Sequence, residues 1–372
     1  MGGLQWKCNG DEILGRHRRF FARKMQDGIL ASLPVALDVE AEWQAFERKW
    51  KQYTPGEPRP FPSNEEIFDR ELVGWQARAG AQDDYLPVVY SILDAGESMV
   101  SGMFGPDMQF LHRQRGPAFS TPHELLPDYA GLPALNFQLD NTWTRRFLSI
   151  QEHFEKASGA RLAQHPCLTM DALNFTCELR GATQSYLDIY EHPVELRALM
   201  EIGFDFNIRF QDAQRRIIAP YRDGCFVWLA GWVPYPSAVA LSVDAYVICS
   251  PAAYVEFGFD YQARLIRHFG HGLMHFHCNR TDLAAEVARL PGLELFQFGG
   301  DPQDPVPEMD HLPAMRKAVG DIPMQIYCPL AVFVERLNKR ALMPNVWYTV
   351  GDGSLTIAEA NKLMEKVRAY RA

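Results

Sequence analysis

The second half of this chain alternates short apolar runs with longer amphipathic ones, and that alternation limits the fold more than any other feature. Gly272 to His277, Leu293 to Phe298, Met324 to Tyr327 and Val346 to Val350 each read as a buried strand. Ala314 to Val319 and Leu330 to Leu337 read as the helices between them, and Ile357 to Tyr370 as a closing helix. Upstream, Arg161 to Thr169 and Phe226 to Val233 read as strands. Ala182 to Tyr190 reads as a helix, a second starts at His192-Pro193, and Pro251 to Phe269 forms one more with Ser250 as its N-cap. Strands joined through helices must run parallel. Over 372 residues this rhythm predicts an α/β fold, a (β/α)8 TIM-type barrel with an N-terminal helical extension. No GxGxxG follows any strand, which argues against an open dinucleotide-binding sheet. The expected domain is single, 1–372, with residues 1–80 as the extension and connection. Within it, Glu40 to Lys51 reads as an amphipathic helix, and Tyr53 to Ser63, with four prolines, as an extended link.

Composition excludes several classes. The net charge is −9 with no basic block, so nothing provides the clustered cations a phosphate backbone requires, and no nucleic-acid partner is expected. No apolar run approaches the ~20 residues of a membrane span. The first residues lack the apolar core of a signal peptide. Seven cysteines without close pairing and without CxxC suit a reducing cytoplasm. Hydrophobic residues make up 47% of the chain, enough for a large core.

Chemistry in such a fold sits at the C-terminal ends of the strands. His275 and His277 end one apolar strand and share one face of it, while Cys278 points to the other. Two imidazoles on one face bind a metal ion or grip a substrate through hydrogen bonds; the sequence leaves both open. Asp171 follows the strand that ends near Met170, where a carboxylate orients substrate, acts as a base, or caps the next helix. Trp232 and Tyr235 can wall an apolar pocket, with Trp228 read as core. Asp244 lies in a loop that can face the site. Gln297 and Asp301 flank the next strand end, where Gly299 and Gly300 permit close backbone approach. Cys328 is a spare ligand or pocket residue, or a buried inert thiol. Asn141 or Thr142 caps the helix that follows.

The order of these motifs resembles the uroporphyrinogen decarboxylase superfamily, which includes the corrinoid-dependent methyltransferases. Leu179 to Leu196 resembles its Gly and Tyr-Glu-x-Pro region, and Cys249 to Asp260 its Ser-Pro helix start. His275 to Asn279 falls where that family has His-x-Cys-Gly-Asn. Val350 to Asn361 resembles its last strand, Gly-rich turn and final helix, while Asp38 and Leu86-Pro87 fit more loosely.

The resemblance implies a methyltransferase-like enzyme acting on a small methylated substrate or on a methyl-corrinoid partner. Its runner-up is decarboxylation. The family's Met-Arg-Gln-Ala-Gly-Arg loop is missing, and the arginines of Gly15 to Phe20 read as the solvated face of a helix. A barrel that binds a small ligand without turnover is the third reading. The methyltransferases use a zinc site of His-x-Cys plus a distant Cys. Here the matching positions are His275, His277 and Asp352, the last between Gly351 and Gly353. A His/His/Asp set is a sound zinc site, harder than one with thiolates. Turn geometry is the other explanation of Asp352. Without an Asp-x-His-x-x-Gly segment, cobalamin would sit on a separate partner protein. His165 to Asp171, Trp232 to Tyr235, His275 to His277, Phe298 to Asp301, Cys328 and Asp352 are expected around one cavity.

Overall fold

A computed structural model describes residues 6–36, 39, 63–89, 99–104, 108–111, 119–122, 125–159, 161–277, 279–300 and 304–372. In chain order the elements are α1 (Gly10–Phe21), β1 (Leu30–Ser32), α2 (Asn64–Ala77), β2 (Val88–Val89), α3 (Met99–Phe104), β3 (Met108–Leu111) and β4 (Phe119–Pro122). There follow α4 (Thr142–Ser158), β5 (Ala163–Gln164), α5 (Ala172–Arg180), α6 (Ala182–Glu191), α7 (Pro193–Ile217), β6 (Cys225–Val227), β7 (Gly231–Val233) and β8 (Val239–Ser242). The last part runs α8 (Pro251–Phe257), α9 (Phe259–Phe269), β9 (Gly272–His277), α10 (Thr281–Val287), β10 (Leu293–Gly299), α11 (Glu308–Val319), β11 (Met324–Pro329), α12 (Leu330–Asn338), β12 (Val346–Gly351) and α13 (Ile357–Ala369).

The central sheet has six strands in the order β1-β12-β11-β10-β9-β8, every neighbouring pair parallel. β2 and β5 form a second, two-stranded parallel ladder. Hydrogen bonds reach from both edges of the sheet toward this ladder. The Asp84 amide donates to the Ala31 carbonyl of β1 at 2.9 Å, and the Thr169 amide to the Ala240 carbonyl of β8 at 3.1 Å. The fold is therefore α/β with a mainly parallel sheet, as the alternating pattern implies.

Strand alternation splits the core in two. Met274, Phe276, Phe296, Phe298 and Tyr348 pack under the helices. On the other face Leu273, Leu295 and Trp347 meet Phe20 and Phe21 of α1 and a hairpin made by β6 and β7. His275 and His277 are two and four residues beyond Leu273, so they share this second face.

Several expectations need correction. Residues 1–80 are not only an extension, because Leu30–Ser32 is an edge strand of the main sheet, paired in register with Trp347 to Thr349. Its apolar run is short enough to escape a search for longer strands. Phe226 to Val233 is not one strand. It turns back on itself over Trp228 to Ala230, with Leu229 at φ 69° and Gly231 at φ 65°. Arg161 to Thr169 holds only the two-residue β5. Pro251 to Phe269 breaks at Gly258, where a side chain would collide with Tyr246 and Tyr254 at 2.8 Å. The Ser250 cap is present, its hydroxyl accepting from the Ala253 amide, and Asn141 caps α4 in the same way. α11 begins at Glu308 and carries Pro313 inside it. Among the arginines of α1, Arg16 is not solvated: it forms an ion pair with the buried Asp84. Glu40 to Lys51, the Tyr53 link up to Pro62, Asp38, Cys278 and Asp301 lie outside the described residues.

Candidate active site

β9 positions the two histidines, and its neighbours β8 and β10 position what surrounds them. The register sets Ser242 and Gln297 on either side of His275, and Gly299 beside His277. Two residues past Ser242 the chain enters a short 3-10 turn, Asp244–Ile248, which swings the Asp244 carboxylate over the strand ends. Its Oδ1 lies 3.7 Å from Nε2 of His275 and 3.7 Å from Nε2 of His277. That oxygen is sealed from solvent and accepts no hydrogen bond from the described residues.

Both imidazoles are held from behind. Nδ1 of His275 bonds to Gln297 Oε1, and Nδ1 of His277 lies 3.2 Å from the Gly300 carbonyl. Both partners are acceptors, so each Nδ1 donates, and in the neutral ring each Nε2 has its lone pair turned toward Asp244. Gly299 makes room for this arrangement, since a Cβ there would stand 3.0 Å from Cε1 of His275. Gln297 is thus a support for His275, where the sequence suggested a contact to substrate. The sequence allows close backbone approach at Gly300 without placing its carbonyl on His277, and it reads Trp228 as core. Trp228, at the hairpin tip, is half-buried with its ring 6.0 Å from His275 and inclined at 76°.

Asp171 lies on the far side of β8. It caps α5, one oxygen accepting from the Asn174 amide at 2.8 Å and the other from the Asn174 side chain at 2.7 Å. The Ser242 hydroxyl, 3.4 Å away, links it to the strand beside His275. Burial pushes its carboxyl up to about 7, and the negative charge of Asp244 adds to the rise.

Four expected residues stand elsewhere. Trp232 is fully buried in the hairpin, its indole N–H donating to the Tyr221 carbonyl. Tyr235 stacks on His271 at 3.8 Å, at the N-terminal end of the strands and opposite the histidine pair. Both positions follow from the hairpin, which reverses the chain before β8. Cys328 is buried on the helix side of the sheet, and burial pushes its thiol up to about 12. Asp352 ends β12, three strands from β9, roughly 14 Å along the sheet at about 4.8 Å per strand. It has φ 47° and bonds the Tyr327 hydroxyl. Among the described residues, the carboxylate grouped with the histidine pair is Asp244.

No family model matches this sequence, and no curated protein does. Among solved structures, a methyltransferase from Methanosarcina mazei is similar in fold, with a TM-score of 0.58 at 11% identity over 96% of this chain and 98% of that one. Among the described residues no helix is long and apolar enough to cross a membrane.

Proposed function

We propose that the chain is a methyl-transfer enzyme, a closed (β/α)8 barrel with Asp244, His275 and His277 at its centre. Closure is supported by the six parallel strands of the main sheet, the parallel pair β2 and β5, and the backbone bonds from Asp84 to Ala31 and from Thr169 to Ala240 that lead from the sheet's two edges toward that pair. The likeness to a methyltransferase over nearly the whole of both chains supports the choice of chemistry. The observation that carries the reading is the buried Asp244 Oδ1, without a hydrogen-bond partner among the described residues, 3.7 Å from Nε2 of both His275 and His277.

One carboxylate oxygen and two imidazole nitrogens within 4.8 Å of one another suit a zinc ion. Zinc bonds of about 2.0–2.2 Å put neighbouring donors roughly 3.3–3.6 Å apart, close to the 3.7 Å seen between Asp244 and each histidine. Asp244, His275 and His277 would hold the ion, with Gln297 and the Gly300 carbonyl fixing the two rings. Bound there, zinc would supply Lewis-acid polarisation of a substrate oxygen or nitrogen, the heteroatoms a site without thiolates prefers. In demethylation the methyl carbon bonds to the acceptor as the methyl–heteroatom bond breaks, its electron pair stays on the heteroatom, and the heteroatom takes a proton. Asp171, with its carboxyl raised to about 7, is partly protonated at neutral pH and is linked through the Ser242 hydroxyl to the strand beside His275. Cobalamin, as methyl acceptor or donor, comes on a separate protein.

Elemental analysis of protein purified without added metal tests the site. Near-stoichiometric zinc is expected, lost in Asp244→Ala, His275→Ala and His277→Ala and kept in Asp352→Ala. Zinc that is absent even after reconstitution, or that follows Asp352, overturns the assignment. Methyl transfer to cob(I)alamin, read by its visible spectrum, tests the activity separately.

A further inference from the structure

The hairpin of β6 and β7 lies against the inner face of the sheet, where Val227, Leu229, Ala230 and Val233 pack on Leu273, Leu295 and Trp347. Its tip reaches the histidine pair. The three-residue turn is costly to make, because Leu229 is a bulky residue in the left-handed region, which glycine alone enters freely. What the turn achieves is the placement of Trp228. Trp232 and Trp347 on the same side of the sheet are wholly buried, whereas Trp228 keeps part of its surface open beside His275.

We propose that Trp228 is a specificity residue: a stacking surface for a flat, uncharged ring that carries the methyl group on oxygen or nitrogen. The proposal rests on the methyl-transfer reading for the methyl group and on the hairpin geometry for the ring. An indole face recognises a planar ring through offset stacking, and an aliphatic group of equal bulk gains less from it. The donors facing this ring are nitrogen and oxygen, so the heteroatom presented to them belongs to the same hard class. His275 and Asp244 then lie within reach of a substituent on a ring resting on Trp228.

The test compares guaiacol (2-methoxyphenol) with methoxycyclohexane, which has the same methyl–oxygen unit and similar bulk but no aromatic face. Binding is measured by ligand-observed NMR with no methyl acceptor present, on zinc-loaded and zinc-free protein. The wild type should prefer guaiacol by about tenfold. Trp228→Leu, which keeps an apolar side chain of moderate size, should remove the preference, and Trp228→Phe should retain most of it. Trp228→Leu should melt close to the wild type; if it does not, Trp228→Phe and Trp228→Met supply the comparison. Equal binding of the two probes, failure of both to bind, or a preference that survives in Trp228→Leu overturns the proposal. A ring preference that persists without zinc leaves the stacking role standing even if the zinc assignment fails.

Discussion

At the scale of single residues, burial sets opposite pH dependences on two strand-end groups. His165 is buried, and its imidazole is pushed down to about 4; the fully buried His17 is also lowered, between the carbonyls of Trp232 and Asp84. Unfolded histidines protonate near 6.5. The unfolded chain therefore takes up protons first as pH falls, and stability present above about pH 6.5 is lost on the way to pH 4. His165 alone is expected to cost about 2–3 kcal/mol across that window. Urea titrations at pH 7 and pH 4.5, with His165→Asn as the flattened control, measure it. Asp171 has the reverse sign. Its folded carboxyl, near 7, lies above the ordinary 3.8, so its contribution is full below about pH 3.8 and lost as pH rises through 7. Asp171→Asn keeps a capping oxygen and removes the buried charge. It should raise the melting temperature more at pH 8 than at pH 5, whereas Asp171→Ala, which also removes the cap, should not. A calorimetric scan of both variants decides.

At the scale of elements, turns do what side-chain periodicity did not announce. α8 and α9 share one apolar pattern, and their break depends on Gly258 lying against Tyr246 and Tyr254. Tyr254 in turn bonds Gln262, whose amide holds the Ser242 carbonyl of β8 next to the site. Gly258→Ala should cost about 1–3 kcal/mol through overpacking, read as a lowered urea midpoint with an unchanged slope. The same variant tests whether helix packing holds Asp244 in place, because the 3-10 turn contains both Asp244 and Tyr246.

At the scale of the whole molecule, carboxylates bind the amides on the edge of β1 that turns away from β12. Asp84 accepts from the Ala31 amide at 2.9 Å and from Arg16 of α1, and Asp83 accepts from the Leu33 amide and from Lys7 and Arg78. Together with the bond from the Asp84 amide to the Ala31 carbonyl, these side chains satisfy the backbone of that edge. Removing one partner leaves buried groups uncompensated, so Asp84→Ala should destabilise by about 3–5 kcal/mol. Denaturant unfolding followed by both tryptophan fluorescence and circular dichroism checks it. A loss below 1 kcal/mol would mean that the edge is not held this way.

The sequence by itself determined the parallel α/β class, the four C-terminal strands to within two residues at either end, several caps and the shared face of His275 and His277. Each of these depends on neighbours in the chain: a period of two, a hydroxyl three residues before an amide, a proline in a first turn. Which carboxylate completes the histidine pair depends instead on strand order and register. Asp244 and Asp352 are both acids just past an apolar run, and nothing local separates them; β8 borders β9, while β12 stands three strands away. The hairpin was hidden for the same reason. Phe226 to Val233 has the apolar content of one buried strand, and only packing against Leu273, Leu295 and Trp347 makes the left-handed turn at Leu229 worth its strain. Local propensity wrote the elements, and long-range burial decided which of their ends meet.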